Sequence, residues 1–349
     1  MGIVITNVGP ATTVQDAGRI GYMAFGFQAS GAMDMTAFRT ANILVGNDRD
    51  AAAIEMTLIG ISGEFTSDAV IAVTGADVAP SVNGISIPLY QAIKVRKGDV
   101  ISCSFARSGC RAYLAVQSGF YLKKVMGSYS TNTKCKIGGY LGRPLQKGDL
   151  LYFNTTEPCC DDGILYADRL LEASAGKAPI RKIAPPEALT SPSAIRAVLG
   201  PQDDYFTDKG IKTLFDGEYK LTNDSDRMGI KLDGEIIESK SGADIISDGI
   251  PLGAVQIPSS GKPIIMTADR QTVGGYAKIA VVISADIPVI AQMKPGDTLR
   301  FIRVSLEDAQ RAYIDALKDV EKLEKRFAKL WNAAENGGLT GKIKSIFKR

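Results

Sequence analysis

Residues 251–301 read PLGAVQIPSSGKPIIMTADRQTVGGYAKIAVVISADIPVIAQMKPGDTLRF. The apolar segments in this stretch are short, rich in β-branched residues and bounded by Gly, Pro, Ser and Asp. They cover residues 254–257, 264–266, 279–283 and 289–291. Segments of this length with such borders are typical of β-strands, because a helix needs a longer apolar period to bury one face. We therefore predict that all four are strands of an all-β body.

The loop between the second and third of these segments carries more polar chemistry than a turn requires. A hairpin needs only two turn residues, whereas this loop holds a carboxylate, a guanidinium, an amide, a hydroxyl, two adjacent glycines and a phenol. Asp269 and Arg270 form a solvated turn pair in one interpretation. In the other, the loop is a binding loop held on a rigid scaffold.

Composition argues against several classes of function. The 349 residues include 41 basic and 38 acidic ones, and the net charge of +3 does not favour a nucleic-acid surface over the whole body. No apolar run is long enough to span a membrane, and the N-terminus lacks the features of a secretion signal. The five cysteines show no Cys-x-x-Cys spacing, so reduced thiols in the cytoplasm fit best.

The chain contains no histidine. This excludes Ser-His-Asp and Cys-His triads and every histidine-ligated metal site, and it leaves acid–base chemistry to Asp, Glu, Lys, Tyr or Cys. We predict no metal site. A GxxxxGK[ST] phosphate loop is also absent from the sequence. Any ATP must therefore be held in another way, or partly by a partner protein.

The length of the chain favours two lobes. We predict an N-terminal β lobe over residues 1–155, a proline-rich linker over 156–194, a second β lobe over 195–304, and an amphipathic helix with a basic tail over 305–349. The long helix is expected to pack on the body or to bind a partner protein. Shorter helices are predicted near residues 34–45, capped by Ser30 or Asp34, and near 203–211.

Two further regions carry candidate functional side chains. Gln15, Asp16 and Arg19 lie in one loop rich in glycine and threonine. They form either a surface ion pair of little energetic value or one wall of a cleft. Gln202 follows a predicted strand, and Arg227 lies in a tight loop beside another carboxylate.

Several segments, in order over residues 1–304, together resemble one family. They read TTVQDAGR at residues 12–19, SGAMD at 30–34, ANILVGN at 41–47, GPQ at 200–202, SDRMG at 225–229 and ADRQTVGGYAKIAVVISADIPVIAQMKPGD at 268–297. This resembles the carboxyltransferase-like family, which includes the C subunit of bacterial 5-oxoprolinase, allophanate hydrolase subunit 2 and the carboxyltransferase part of urea carboxylase. The resemblance implies a mainly β fold with two barrel-like lobes, the second cyclophilin-like, a few short helices and a C-terminal amphipathic helix.

The resemblance also implies an enzyme subunit that is inactive alone. Together with the B subunit of 5-oxoprolinase, in direct contact, and with the A subunit, it would open 5-oxo-L-proline to L-glutamate at the expense of ATP. Arginines would then bind phosphates, and neighbouring polar groups would orient the lactam. The catalytic candidates are Asp269, Arg270, Gln271 and Tyr276. The binding candidates are Gln15, Asp16, Arg19, Ser30, Asp34, Gln202, Arg227, Gln256, Thr272, Gly274 and Gly275.

Two alternatives remain open from the sequence. One is the carboxyltransferase component of a biotin-dependent urea or amide carboxylase. Residues 291–295, AQMKP, only superficially resemble a biotinylation sequence, so we expect no biotin on this chain. The other is a non-enzymatic regulator of a kinase inhibitor, since one relative in the family antagonises a sporulation-kinase inhibitor.

The two polar loops are expected to meet. We predict that Asp269, Arg270 and Gln271 face one cleft together with the loop of Gln15, Asp16 and Arg19. Both loops hold more polar groups than their turns require, and an arginine is a suitable partner for a planar carboxylate or a phosphate.

Overall fold

The computed structural model describes residues 1–154, 182–187, 189 and 191–337, with side chains to residue 328. Two sheets build the first lobe. The order of the six-stranded sheet is β11-β1-β4-β9-β6-β7, and that of the five-stranded sheet is β2-β3-β10-β5-β8. Their bounds are β1 Gly2–Val8, β2 Thr13–Gln15, β3 Ala53–Thr57, β4 Ile61–Phe65, β5 Ala69–Asp77, β6 Ser81–Val82, β7 Ile85–Ser86, β8 Ala92–Val95, β9 Val100–Ser102, β10 Ser108–Val116 and β11 Leu150–Tyr152.

The first lobe has its main core between these two sheets. Ile3 and Ile5 of β1 pack in one buried cluster with Ile54 and Met56 of β3 and Leu114 of β10. These side chains alternate along their strands, which is the pattern that a half-buried strand produces. Burial of apolar area from both sheets stabilises the lobe by the hydrophobic effect.

Helix α1, Met35–Val45, covers the other face of the five-stranded sheet. Asp34 caps it by accepting a hydrogen bond from the Ala37 amide at 2.9 Å. The helix ends at Gly46, whose φ of 80° lies in the left-handed region that favours glycine. Both helix bounds agree with the sequence-based prediction, and Asp34 rather than Ser30 is the cap.

Seven strands form a closed barrel, in the order β12-β19-β16-β17-β14-β13-β20. The barrel strands are β12 Ser193–Leu199, β13 Tyr219–Leu221, β14 Gly229–Asp233, β16 Ala254–Gln256, β17 Ile264–Met266, β19 Lys278–Val282 and β20 Thr298–Arg303. Strand β12 pairs in parallel with β20, and this closes the barrel. Its core includes Ile195, Val255, Ile265, Leu299 and Phe301. The mainly β fold with a barrel in its second half is thus confirmed.

Three predicted elements differ from the structure, and one of them is the loop predicted over residues 268–276, whose second half is strand β18, Val273–Tyr276. Residues 289–291, predicted as a strand, lie in helix α3, Ile287–Gln292, with Pro288 in its first turn. A short apolar run has no period of its own, and proline is favoured at a helix start. The helix predicted at 203–211 is a 3₁₀ turn, Asp203–Tyr205, followed by α2, Asp208–Asp216. Thr207 caps α2 by accepting from the Gly210 amide at 2.9 Å and so sets its start.

A two-stranded ribbon accompanies the barrel. It consists of β15, Asp244–Gly249, and β18, Val273–Tyr276, which pair antiparallel with a register shift between Asp244 and Asp248. Most residues of β15 are exposed, and Ile246 is 94% exposed. The ribbon therefore contributes little apolar burial of its own.

Helix α4, Leu306–Gly337, packs back on the first lobe. Phe327 is buried in the cluster of α1, with Val320 and Leu323 packed around it, and Arg49 pairs with Glu324 at 3.3 Å. Of the two roles predicted for this helix, packing on the body is the observed one. The tail over 338–349, and the predicted linker except residues 182–187, 189 and 191–194, lie outside the described residues. Among the helices of the described chain, none is long and apolar enough to cross a membrane.

Candidate functional site between the lobes

Arg227 lies where the barrel meets the first lobe. Its turn is tightened by the Asp226 carboxylate, which accepts from the amides of Met228 at 2.7 Å and Gly229 at 3.1 Å. The Arg227 guanidinium donates to both carboxylate oxygens of Asp269, from Nε at 2.9 Å and from Nη2 at 3.2 Å. The same Nη2 also donates to the Gly31 carbonyl at 2.7 Å. The planar fork of arginine suits such a bidentate contact.

Glu55 is the second acidic partner of Arg227, and it belongs to the first lobe. It lies in the middle of β3 and is fully buried. One carboxylate oxygen pairs with Arg227 Nη1. The other accepts from the Tyr113 hydroxyl at 2.8 Å and from the Met33 amide at 2.9 Å. Every oxygen of this buried carboxylate is thus engaged, as a buried charge requires.

These groups alter one another's protonation. Burial alone would lower the pKa of Arg227, but the carboxylates of Asp269 and Glu55 outweigh it and raise that pKa. Burial, reinforced by the charge of Glu55, holds the pKa of Tyr113 well above its ordinary value. Arg227 is therefore a permanent cation whose charge is neutralised within the protein, and Tyr113 is a permanent hydrogen-bond donor.

A second contact joins the lobes beside this network. Gln292, at the end of α3, donates to the Asp34 carboxylate at 2.7 Å and accepts from the amides of Cys110 and Arg111 at 3.1 Å each. Arg111 donates to the Ala291 carbonyl at 2.6 Å. Burial raises the pKa of Asp34, against the opposing effect of the Ala37 amide and Gln292. The misassigned segment 289–291 is thus the barrel's helical anchor on the first lobe.

The loop after β17 contacts the loop that precedes α1. Gln28 donates from Nε2 to the backbone carbonyl of Asp269 at 2.7 Å, and it accepts from Asn132 at 2.5 Å. Asn132 also donates to the Ser30 hydroxyl at 3.2 Å. Ser30 is therefore joined through Asn132 to Gln28, the residue that links the two loops.

Arg270 differs from Arg227 because it has no carboxylate partner among the described residues. Only 8% of it is exposed. Its Nε donates to the Ile250 carbonyl at 2.8 Å, its Nη1 lies 3.4 Å from the Thr267 carbonyl, and its Nη2 lies 3.6 Å from the Met23 sulfur. Burial lowers its pKa, and no acidic side chain offsets the effect. A buried guanidinium held only by neutral groups can accept an anion.

Asp16 directs its hydrogen bonds to its own lobe. Its carboxylate accepts from the hydroxyls of Ser128 at 2.7 Å and Ser130 at 2.5 Å, and from the amides of Tyr129 at 2.6 Å and Gly18 at 2.9 Å. The glycine- and hydroxyl-rich loop around residue 130 thus supplies three of these four hydrogen-bond donors to the Asp16 carboxylate. None of these hydrogen bonds joins Asp16 to Asp269 or Gln271, and the cleft shared by the two loops stays a prediction.

Gln15 and Arg19 pack against the same loop. Gln15 donates from Nε2 to the Thr131 carbonyl at 3.1 Å. Arg19 is fully buried and donates to the carbonyls of Val125 at 3.1 Å and Ser130 at 3.0 Å. Within the part of the chain that the structure describes, its Nη1 meets no partner. Burial lowers the pKa of Arg19, against the raising effect of nearby Asp16, Cys135 and Asp269.

The remaining candidates lie at the ribbon, away from the Arg227 network. Gln256 donates to the Tyr276 carbonyl at 3.3 Å, and Gln202 donates to Asp248 at 3.3 Å. Gly274 packs so closely that a Cβ would lie 2.7 Å from Ile250 and 3.2 Å from the Gln256 amide. The set comprises Gln202, Gln256, Gly274, Gly275 and Tyr276, with Gln271 exposed and Thr272 partly buried in the loop that enters it. The sequence-predicted residues therefore lie in three places: around Arg227, in the loop of Asp16, and at the ribbon.

Sequence analysis did not identify three buried polar groups: Glu55 and Tyr113 in the Arg227 network, and Lys278, which pairs with Asp248 of the ribbon at 3.1 Å. Glu55 offered a signal, because it is an acidic residue between Ile54 and Met56 in a predicted strand. Acidic groups are seldom fully buried unless paired. No cluster of three or more acidic or cysteine side chains suited to a metal ion occurs in the described ranges.

Comparison with known proteins identifies the family to which this chain belongs. Residues 25–303 match the carboxyltransferase domain, subdomain A and B. The chain belongs to the carboxyltransferase-domain family. It is 36% identical to the C subunit of 5-oxoprolinase from Haemophilus influenzae over 91% of this chain and 98% of that protein. It is 34% identical to the C subunit of 5-oxoprolinase from Escherichia coli over 91% and 96%.

Larger members of the carboxyltransferase-domain family contain the same unit as one part. The crystal structure of the Kluyveromyces lactis urea amidolyase superimposes with a TM-score of 0.81 at 30% identity, covering 92% of this chain and 20% of that chain. The urea amidolyase of Saccharomyces cerevisiae is 34% identical over 88% of this chain and 17% of that protein. The fold is thus shared between stand-alone subunits and one region of multidomain enzymes.

Proposed function

We propose that this protein is the C subunit of an ATP-dependent 5-oxoprolinase that opens 5-oxo-L-proline to L-glutamate together with the A and B subunits of that enzyme. One observation carries the proposal. The chain corresponds to 98% and 96% of two proteins that are each named as the C subunit of 5-oxoprolinase. It corresponds to only 17% of a urea amidolyase. Correspondence over nearly the whole length of those two subunits favours the same role for this chain.

The chemistry of a lactam fits a site of buried cations. A lactam carbonyl is a poor electrophile, and phosphorylation of its oxygen makes the carbon open to attack. Phosphoryl transfer needs positive groups aimed at the phosphate oxygens. Arg270 and Arg19 suit this role, since neither forms a direct carboxylate pair within the described residues. Arg227 suits a positioning role, since Glu55 and Asp269 already neutralise it.

The lactam itself needs orienting groups. Asp269 is committed to Arg227, so in this proposal it fixes the backbone from which Arg270 projects. Gln271 is exposed and Tyr276 is 41% exposed, and both are free to meet a substrate or another protein of the complex. The catalytic set remains Asp269, Arg270, Gln271 and Tyr276, with Asp269 acting through its neighbours.

ATP and the partner proteins complete the proposal. The sequence has neither a phosphate loop nor a histidine, so we infer that the B subunit of 5-oxoprolinase touches this chain directly and supplies part of the nucleotide site. No biotin is attached to this chain in the proposed complex. The setting is cytoplasmic, in keeping with the free thiols of Cys103, Cys110 and Cys135.

The test is reconstitution. The chain is purified alone, with the B subunit, and with both the A and B subunits, and glutamate and ADP release are measured with 5-oxo-L-proline. We expect no turnover by the chain alone, a stable complex with the B subunit, and turnover coupled to ATP hydrolysis in the full set. Turnover by the single chain, or an inactive full set in which each protein is folded, would contradict the proposal.

A second candidate follows from the structural similarity to urea amidolyase. In that case the chain would transfer a carboxyl group from a biotinylated partner to urea or another amide. The same preparation, supplied with a biotin carboxylase, biotinylated carrier, bicarbonate, ATP and urea, distinguishes the two. Urea-dependent ATP hydrolysis without activity on 5-oxoproline would favour the carboxylase component.

A further inference from the structure

A buried lysine lies in the barrel wall beneath the ribbon. The side chain of Lys278 is 1% exposed, and its neighbours Ala277, Ile279 and Ala280 are fully buried and apolar. An ammonium group in such a place is unfavourable unless it meets an anion. Its acidic partner is Asp248, at 3.1 Å from Nζ. Within the described residues, the charge of Lys278 is thus neutralised by one carboxylate.

That carboxylate comes from the exposed part of β15, between Ile245, which packs against the barrel core, and the buried Ile250. Asp248 lies on β15, and its side chain is 56% exposed. Within the described chain, β15 pairs with β18 alone, and the register shifts just before Asp248. An isolated two-stranded ribbon is marginally stable. A deeply buried cation is therefore paired with a carboxylate whose side chain is more than half exposed.

A second donor is fixed at the same carboxylate oxygen. Gln202 donates from Nε2 to Asp248 Oδ2 at 3.3 Å, and its own carbonyl accepts from the Lys278 amide at 3.2 Å. Gly200 permits this approach, because a Cβ there would lie 2.1 Å from the Lys278 carbonyl oxygen. The Gly200-Pro201-Gln202 turn therefore presents an amide donor beside the ammonium group, independently of the ribbon.

We propose that Lys278 and Gln202 form a binding site for the carboxylate of a small organic acid, and that Asp248 occupies this site as an internal substitute while the β15–β18 ribbon covers it. Ligand binding requires that Asp248 leave and the ribbon lift. Under the proposed function, 5-oxo-L-proline carries a carboxylate that fits, and only this choice of ligand rests on that function. The ammonium and amide donors, and the exposed carboxylate that they hold, are independent of it.

The experiment measures binding to the isolated full-length chain by calorimetry. The probes are acetate, 5-oxo-L-proline, 2-pyrrolidinone, which is the same lactam without the carboxylate, and inorganic phosphate. Asp248→Asn removes the internal competitor, and we expect this variant to bind acetate at least about tenfold more tightly than the wild type. The reason is that the apparent affinity of a site is reduced by the fraction of molecules in which the site is open. Lys278→Met in the Asp248→Asn background is expected to abolish the gain.

Matched controls lie close by. Asp244→Asn makes the same charge change on the same strand, and Lys262→Met removes the lysine of an exposed barrel pair with Asp233; neither is expected to alter binding. In the wild type, acetate should speed amide hydrogen exchange in residues 245–249, whereas a merely structural ion pair would give no ligand-dependent change.

The outcomes separate the site from the proposed function. Equal acetate affinity of wild type and Asp248→Asn overturns the site, and this conclusion does not depend on the folding of the Lys278 variant. Tighter phosphate binding without tighter carboxylate binding overturns the choice of ligand class. If Asp248→Asn binds acetate more tightly than the wild type but does not bind 5-oxo-L-proline more tightly, the carboxylate site stands and 5-oxoproline is excluded as its ligand.

Discussion

Glu55, in the middle of a first-lobe strand, forms an ion pair with Arg227 of the barrel lobe. The side chain of Arg227 is 16% exposed and that of Glu55 is fully buried. Because Arg227 also holds Asp269, the two lobes and the loop of Arg270 are tied to one guanidinium. The position of the candidate catalytic loop therefore depends on a residue of the other lobe.

Replacement of Glu55 by Gln should weaken the junction between the lobes. The amide keeps the size of the side chain, but Arg227 loses one of its two anionic partners. We expect the free energy of unfolding to fall by about 3–5 kcal/mol, as for a broken buried ion pair. Denaturant unfolding measures this. Glu64→Gln, on an exposed position of β4, is the control and should change stability by less than about 0.5 kcal/mol. Equal stability of the two variants would show that the pair contributes nothing.

Replacement of Arg270 by Lys should reduce turnover more than stability. Lysine keeps the charge but loses the planar fork and the Nε contact to the Ile250 carbonyl. We expect turnover of the assembled enzyme to fall at least about tenfold, as when one electrostatic contact is lost. The loss of one hydrogen bond should cost about 1 kcal/mol. Arg303→Lys, an exposed change in β20, is the control for both measurements. Normal turnover with a much lower melting temperature would make Arg270 purely structural.

Much of the barrel was predictable because its strands are short, β-branched and separated by turn residues. The segments 254–257, 264–266 and 279–283 each correspond to a strand. Residues 289–291 were misassigned since three apolar residues carry no period, and Pro288 acted as a helix start. Local sequence says little about such a run, and tertiary packing of α3 on the first lobe decided its structure.

The candidate site was less predictable, because buried polar groups are defined by partners distant in sequence. Asp16 and Asp269 both read as polar loop residues. One is satisfied by hydroxyls of its own lobe and the other by Arg227. An acidic residue between Ile54 and Met56 signals a buried partner, but nothing in the local sequence shows that this partner is Arg227, far along the chain. The contact observed between the loop after β17 and the first lobe, from Gln28 to the Asp269 carbonyl, involves a side chain that sequence analysis did not name.

Truncation of Phe327 should release the C-terminal helix from the first lobe. Its ring is 2% exposed in the α1 cluster, and Phe-to-Ala changes in cores cost about 3–5 kcal/mol. We expect Phe327→Ala to lower the free energy of unfolding, within that range or below it, and to speed hydrogen exchange in α4. Tyr313→Ala, on the same helix at 48% exposure, should leave exchange unchanged. Unaltered exchange in the Phe327 variant would mean that α4 is held by other contacts.

Acid should weaken the first lobe through Asp149. Arg143 donates to both of its oxygens, at 2.7 and 2.8 Å. Burial alone would raise the pKa of Asp149, but the hydrogen bonds of Arg143 and Gln146 outweigh it and lower that pKa. A lowered folded-state pKa stabilises the protein above the unfolded value of about 3.9, and this stability is lost as pH falls through the folded value.

Arg143→Met should therefore destabilise the protein by about 1–2 kcal/mol at pH 6. The difference from wild type should begin to shrink below about pH 4, where the unfolded chain gains its proton, and should vanish as pH falls through the lower folded-state pKa of Asp149. Urea unfolding at several pH values measures this difference in the free energy of unfolding. Lys147→Met removes an exposed charge two residues from Asp149 and should show no such dependence. A difference that stays constant from pH 6 to the pH of acid unfolding would rule out Asp149 as the titrating partner.

The parallel pairing of β12 with β20 has a consequence for synthesis on the ribosome. The strand that opens the barrel lobe is neighboured by the strand that ends it, so the lobe cannot close until residues 298–303 have left the exit tunnel. Until then the inward side of β12, including Ile195, remains open to other chains. Pairing between such distant segments is also intrinsically slow. Nascent forms of this lobe are consequently the stage at which chaperone protection matters most.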